Sequence, residues 1–258
     1  MADCDSSHQW QRWSLGYTER FVDDFLLPLS NGKVIRVSQA PKIANVGADR
    51  GHDPGITGST VWDASIVLAQ FLTSSPTAQA IFKEPIDLAI ELGSGTGLVS
   101  LAVASACLVK NMVATDISGL LPLLTKNISQ NRKNTRLGSH VTCRALRWGE
   151  EKDIQQIPEM KTGNSCGLVF GSDLIYSDII EQDALLLSTL QKLCVASTVV
   201  VFGLHRMHQP ERVDAFVVLL RSHFSSVDTV PLEDQPPDWR SEDVVVVIAR
   251  GIILEQAS

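Results

Sequence analysis

The segment Glu91-Leu92-Gly93-Ser94-Gly95-Thr96-Gly97 carries the densest chemical information in this chain. An apolar run of strand length, Ile86 to Leu92, feeds into it, and a helical pattern from Gly97 to Val109 leaves it. Glycines at such a turn let the backbone bend sharply and leave no Cβ between main-chain amides and a ligand. Phosphate, dinucleotide and nucleoside sites all use a loop of this kind, so the details must discriminate. Leu98 follows the last glycine in place of a lysine, which speaks against a nucleotide P-loop. The spacing is GxGxG, whereas the dinucleotide fingerprint is GxGxxG. Glu91 adds a carboxylate that would repel a pyrophosphate but tolerate a ligand bearing a sulfonium and an ammonium.

A second acidic residue, Asp116, closes the next apolar run, Asn111 to Thr115. A carboxylate at a strand tip can accept both hydroxyls of a ribose. It can equally cap the helix that follows, as any Asp or Ser can. Asp173 ends a further run, Gly167 to Gly171, and so falls at the carboxyl edge of a sheet, where open α/β folds bind ligands. Trp148, directly before Gly149, suits a stacking platform or a loop anchor. Leu204-His205-Arg206-Met207-His208 offers two histidines and an arginine that could face substrate; with no acidic or cysteine ligand beside them, a solvated loop is expected and no metal site.

Five motifs in order resemble those of the family-16, seven-β-strand protein methyltransferases. Thr57-Gly58-Ser59-Thr60-Val61-Trp62-Asp63-Ala64 resembles their G-x-x-x-W-x-A helix, and Glu91 to Val99 their first motif. Thr115-Asp116-Ile117 resembles the ribose motif, Leu146-Arg147-Trp148-Gly149 the adenine-side motif, and Ser172-Asp173-Leu174-Ile175-Tyr176 the DxxY signature. The resemblance implies methylation of a protein lysine with S-adenosyl-L-methionine as donor and S-adenosyl-L-homocysteine as product. It implies cofactor contacts from Trp62, Glu91, Gly93, Ser94, Gly95, Thr96, Asp116, Trp148 and Ser172. Asp173 and Tyr176 are the implied catalytic pair, lining the channel to the methyl group. A DxxY set, rather than an Asn-Pro-Pro-Tyr tetrad, leans toward lysine over a planar nitrogen acceptor.

The elements that must position these residues follow from hydrophobic patterning. From Ile86 onward, short runs rich in Val, Ile and Leu alternate with helical stretches: Leu120 to Asn131, Val141 to Leu146, Ile179 to Leu193, Thr198 to Leu204, Gln209 to His223 and Val244 to Ile248. Near-continuous apolar strands are those buried on both faces, as in a parallel sheet covered by helices. A doubly wound, mostly parallel α/β sheet is therefore expected, Rossmann-like, and the resemblance implies seven strands. Upstream, Phe25 to Leu29 and Val34 to Val37 flank Asn31-Gly32 as a hairpin. Gln39 to Ile56 reads as a loop, a helix runs from Ser59 or Thr60 to Leu72, and Pro231 to Asp243 reads as a surface loop. Residues 1–56 are expected to form a hairpin-and-loop extension packed on a methyltransferase domain of residues 57–258.

Composition narrows the class. The 258 residues are 44% hydrophobic and 20% charged, as in an ordinary globular domain. A net charge of −7 argues against a broad phosphate-binding surface and hence against DNA. It favours a basic partner, such as a protein segment presenting a lysine. Five scattered cysteines form no CxxC pair; Cys107, Cys143 and Cys194 read as small buried hydrophobes. No apolar run reaches the ~20 residues of a membrane span. A monomer of the cytosol, or also of the nucleus, is the resulting expectation. The rival readings are a small-molecule or RNA methyltransferase on the same fold, and a cofactor-binding scaffold without catalysis.

Overall fold

The computed structural model describes residues 22–40, 58–161, 166–175, 180–206 and 210–253. Strands β1 (Asp24–Pro28) and β2 (Val34–Ser38) form the antiparallel hairpin expected from the sequence. Helices α1 (Asp63–Ser74) and α2 (Pro76–Gln79) lead to β3 (Ile86–Leu92). Then come α3 (Leu98–Ala106), β4 (Val109–Asp116), α4 (Leu121–Gln130) and β5 (His140–Ala145). Two short helices, α5 (Glu151–Gln155) and α6 (Pro158–Lys161), precede β6 (Cys166–Ser172) and α7 (Ile180–Leu193). The chain ends through β7 (Val199–His205), α8 (Pro210–His223), β8 (Phe224–Thr229) and β9 (Val244–Ile252).

The main sheet has seven strands in the order β5-β4-β3-β6-β7-β9-β8. The five from β3 to β7 run parallel, and β9 is antiparallel to both neighbours. This is the doubly wound α/β architecture, with β3 and β6 adjacent where the winding reverses. A crevice opens outside the strand ends at such a reversal. Gly93, Asp116 and Asp173 follow or end β3, β4 and β6, so all three arrive at that edge. One face of the sheet packs on α1, α3 and the hairpin, around Phe71, Leu68 and Phe170. The other packs on α7 and α8, around Leu186, Phe202 and Phe216.

Strand β8 escapes a pattern search because only Phe224 of its six residues is buried; it is an edge strand with one partner, β9. Helix α3 stops three residues before the expected Val109, because Leu108 accepts the amide of Ile86 at 2.8 Å and draws the chain into the β3–β4 ladder. Helix α1 starts at Asp63 instead of Ser59 or Thr60, and Trp62 precedes it in an extended conformation. The segment Pro231 to Asp243 is not wholly a surface loop: Gln235 and Ser241 are buried, and Ser75 Oγ donates to the Asp234 carbonyl at 2.9 Å. Cys107 and Cys194 are buried as expected, and burial pushes the Cys107 thiol up to about 12. Cys143 is only half buried, because its strand β5 lies at the sheet edge. No helix among the described residues is long and apolar enough to cross a membrane.

The hairpin docks through three asparagines that no hydrophobic pattern reveals. Asn127 Oδ1 accepts the Ser38 amide at 2.8 Å and its Nδ2 donates to the Ser38 carbonyl at 3.0 Å. Asn131 treats Arg36 the same way, at 3.1 and 2.6 Å, and Asn134 Nδ2 donates to the Val34 carbonyl at 2.9 Å. Alternate strand residues turn their amides and carbonyls to the same side and repeat every ~6.6 Å. Four helical residues rise ~6.0 Å. Side chains of α4 and its C-terminal turn therefore stand in for a third strand along the open edge of β2.

Candidate active site

The glycine loop turns from β3 into α3 with Gly93, Gly95 and Gly97 at φ of 58°, 53° and 80°. Gly95 is where a side chain is least tolerable: a Cβ there would lie 2.8 Å from the Gly58 carbonyl oxygen, a backbone atom that cannot swing away. The loop is fastened to β4 twice. Ser94 N–H donates to the Thr115 carbonyl at 2.9 Å, and Gly95 N–H donates to Asp116 Oδ2 at 2.7 Å. Asp116 Oδ1 accepts the Ile117 amide at 2.7 Å. No side-chain bond caps the 3-10 turn Ser118–Leu120 or helix α4, so Asp116 braces the loop and does not cap a helix. Burial raises its carboxyl above the usual range, partly offset by the two amides.

After β6, Asp173 is the one non-glycine among the described residues with φ in the left-handed region, at 53°. Such a conformation costs an ordinary residue ~1–2 kcal/mol, and Asp tolerates it better than most. Its amide donates to the Gly203 carbonyl of β7 at 2.9 Å, which holds the turn at the end of β6. Trp148 is held from two sides. Asp153 takes both the main-chain amide of Arg147 (3.0 Å) and its guanidinium (2.9 and 3.1 Å), and Gly149 N–H donates to Thr189 Oγ1 at 2.8 Å.

These parts enclose a cavity of about 460 Å³, within the usual range for a small-molecule site. A sequence profile described as lysine methyltransferase matches residues 48–222. The chain belongs to the lysine methyltransferase family. It is 33% identical over 171 residues to protein N-lysine methyltransferase METTL21A of Danio rerio, spanning 65% of this chain and 68% of that protein. It is 29% identical over 189 residues to protein-lysine N-methyltransferase EFM6 of Saccharomyces cerevisiae, spanning 67% and 72%. With EEF1A lysine methyltransferase 3 of Xenopus tropicalis it shares 27% over 195 residues, spanning 76% and 74%.

In this lysine methyltransferase, Trp62, Gly93, Ser94, Gly95, Thr96, Asp116, Trp148, Ser172 and Asp173 all line one cavity, although up to 111 positions separate them in sequence. Trp62 reaches it from the turn before α1, not from the helix face shared by Ile66, Ala69 and Leu72. Tyr176 lies outside the described residues. Glu91 is a correction. It is 1% exposed and does not line the cavity; its Oε2 accepts the Ser100 amide at 3.0 Å and pairs closely with the Ser100 hydroxyl. Burial pushes its carboxyl up to about 8, so it presents no charge to a ligand at neutral pH and works beneath the loop.

The solvated loop expected at Leu204 to His208 is corrected at one residue, and further lining residues escape sequence reading. His205 is the last residue of β7 and lines the cavity, so it does not belong to a solvated loop. Its neighbour Arg206 turns away to Asp214, at 2.7 Å. Ser65, Gln182 and Leu185 line it from α1 and α7, and Thr60 from the turn before α1. None of these residue types carries a motif; only the strand register and helix packing bring them in.

Proposed function

We propose that this chain binds S-adenosylmethionine in the 460 Å³ cavity and moves its methyl group to the side-chain amine of a protein lysine. The observation that carries the reading is the convergence of Asp116, Asp173, Trp62 and the glycine loop on one cavity. The residues fit the ligand. The loop from Gly93 to Thr96 borders the cavity where the amino-acid end would lie, and Asp116 has lone pairs left for the ribose hydroxyls after binding two amides. Trp148 would offer an aromatic face for the adenine, Trp62 would close over the donor, and Ser172 lines the same cavity.

Bound, the donor supplies a methyl group on a positively charged sulfur, which a neutral amine displaces in line. A lysine enters with a pKa of about 10.4 and must shed a proton first. Withdrawal from water into a narrow, largely apolar channel disfavours its ammonium and lowers that value. Asp173 holds the amine and aims its lone pair; positioning of this kind accounts for much of such catalysis. The net charge of −7 suits approach by a basic segment. Free Cys107, Cys143, Cys166 and Cys194 suit a reducing setting, the cytosol or the nucleus.

The test is titration calorimetry with S-adenosylhomocysteine, followed by labelled S-adenosylmethionine and a cell extract. Uptake of the nucleoside and label in protein lysines are expected. Label confined to RNA or to small molecules would overturn the acceptor assignment, and absence of uptake would overturn the whole proposal.

A further inference from the structure

Asn127 makes one contact that Asn131 and Asn134 do not. Besides gripping the main chain of Ser38 from both sides, its Nδ2 donates to the Thr96 carbonyl of the glycine loop at 2.9 Å. Asn127 is fully buried, so these bonds have no water to compete with them. Thr96 sits between Gly95 and Gly97, whose φ values of 53° and 80° leave the loop few intrinsic restraints. Fixing a free residue costs conformational entropy, most for glycine, so a loop held in shape beforehand binds its ligand more tightly than one that must order on contact. Asn131 offers a natural comparison. It grips Arg36 with the same pair of bonds, and its other partners are on α4 and the turn after it.

We infer that Asn127 is a positioning residue for methyl-donor binding: it couples the N-terminal hairpin at Ser38 to the glycine loop at Thr96. The inference rests on the proposal that this loop holds the donor. Asn127 touches no reacting atom and acts through Thr96.

Calorimetry with S-adenosylhomocysteine on wild type, Asn127→Ala and Asn131→Ala tests it, with melting temperatures measured alongside. Both variants should melt earlier. Only Asn127→Ala should weaken ligand uptake, by about tenfold, the worth of roughly one hydrogen bond plus loop ordering. Its KM for the donor should rise with kcat nearly unchanged at saturation. Equal affinities in the two variants would overturn the inference, because a merely structural asparagine lowers the melting temperature without that distinction. Should Asn127→Ala fail to fold, amide exchange on the wild type decides, since coupling is reciprocal. Ligand should then slow exchange at the Ser38 amide more than at Arg36, and equal slowing would overturn the coupling. Failure of the wild type to take up ligand would instead defeat the proposed function itself.

Discussion

Asp116 and Gly95 are joined by a 2.7 Å hydrogen bond from main-chain amide to carboxylate, so one side chain both shapes the glycine loop and faces the cavity. Asp116→Asn keeps a carbonyl oxygen for one amide but forfeits the charge and one acceptor. Hydrogen bonds to a charged group contribute ~1.5–3 kcal/mol, so S-adenosylhomocysteine affinity should fall about ten- to hundredfold. Calorimetry reads this directly. An unchanged Kd would remove the ribose role from Asp116.

Asp173 pairs a strained backbone with a cavity-facing position. Asp173→Ala should abolish turnover while leaving donor affinity within a few fold. Asp173→Gly should be equally inactive yet melt later than the alanine variant, because glycine accepts φ of 53° without the Cβ clash, a difference of about 1 kcal/mol. Residual activity in both variants would leave Asp173 with a structural role only.

Glu91 sets a pH dependence. Its carboxyl titrates near 8 in the fold against an ordinary 4.5, raised by burial. Between those two values the folded chain keeps a proton that the unfolded chain has released, so stability falls as pH rises. Below 4.5 both states are protonated and the full stability is present. Glu91→Gln has no such proton. Wild type should lose melting temperature relative to this variant from pH 4.5 to pH 8, by roughly 4 °C or more. Asp116, also raised, slopes both curves alike and drops out of the difference. Parallel melting curves across that range would show that Glu91 is charged in the fold.

The history of Glu91 shows where sequence stops. Its place before the loop was legible, and so was the loop, because glycine spacing and the strand before it are local features. Its burial was not, since the partner, Ser100, is an unremarkable residue on the next helix. The inner parallel strands β3, β4, β6 and β7 were legible because burial on both faces leaves long apolar runs. Strand β8 was not, because an edge strand with a polar face has no such run. Asn127 and Thr189 were invisible for a third reason: each acts through tertiary contacts that no spacing encodes. His205 stood out by its type, but only the register of β7 brings it to the cavity.

Gly95→Ala should be more damaging than its one added methyl suggests. The new Cβ would meet the Gly58 carbonyl at 2.8 Å, and φ of 53° is unfavourable to alanine. The loop must shift, and with it the amide given to Asp116. Donor binding should become undetectable by calorimetry while the melting temperature drops only a few degrees, since the loop borders the core without filling it. Normal binding would show that the Gly58 segment yields freely.

Trp148 depends on Asp153 for its placement. Arg147 is 63% exposed at its side chain, so its ion pair with Asp153 would by itself contribute little. The same carboxylate, however, also accepts the Arg147 main-chain amide at 3.0 Å, and that bond fixes the backbone one residue before the tryptophan. Asp153→Ala removes both, whereas Arg147→Ala removes only the ion pair. Donor affinity should therefore fall about three- to tenfold in Asp153→Ala and stay within twofold in Arg147→Ala, with kcat at saturating donor little changed in either. Equal losses in the two variants would mean that the side chain of Arg147, a residue that itself lines the cavity, contacts the donor, and Asp153 would then serve the arginine and not the tryptophan.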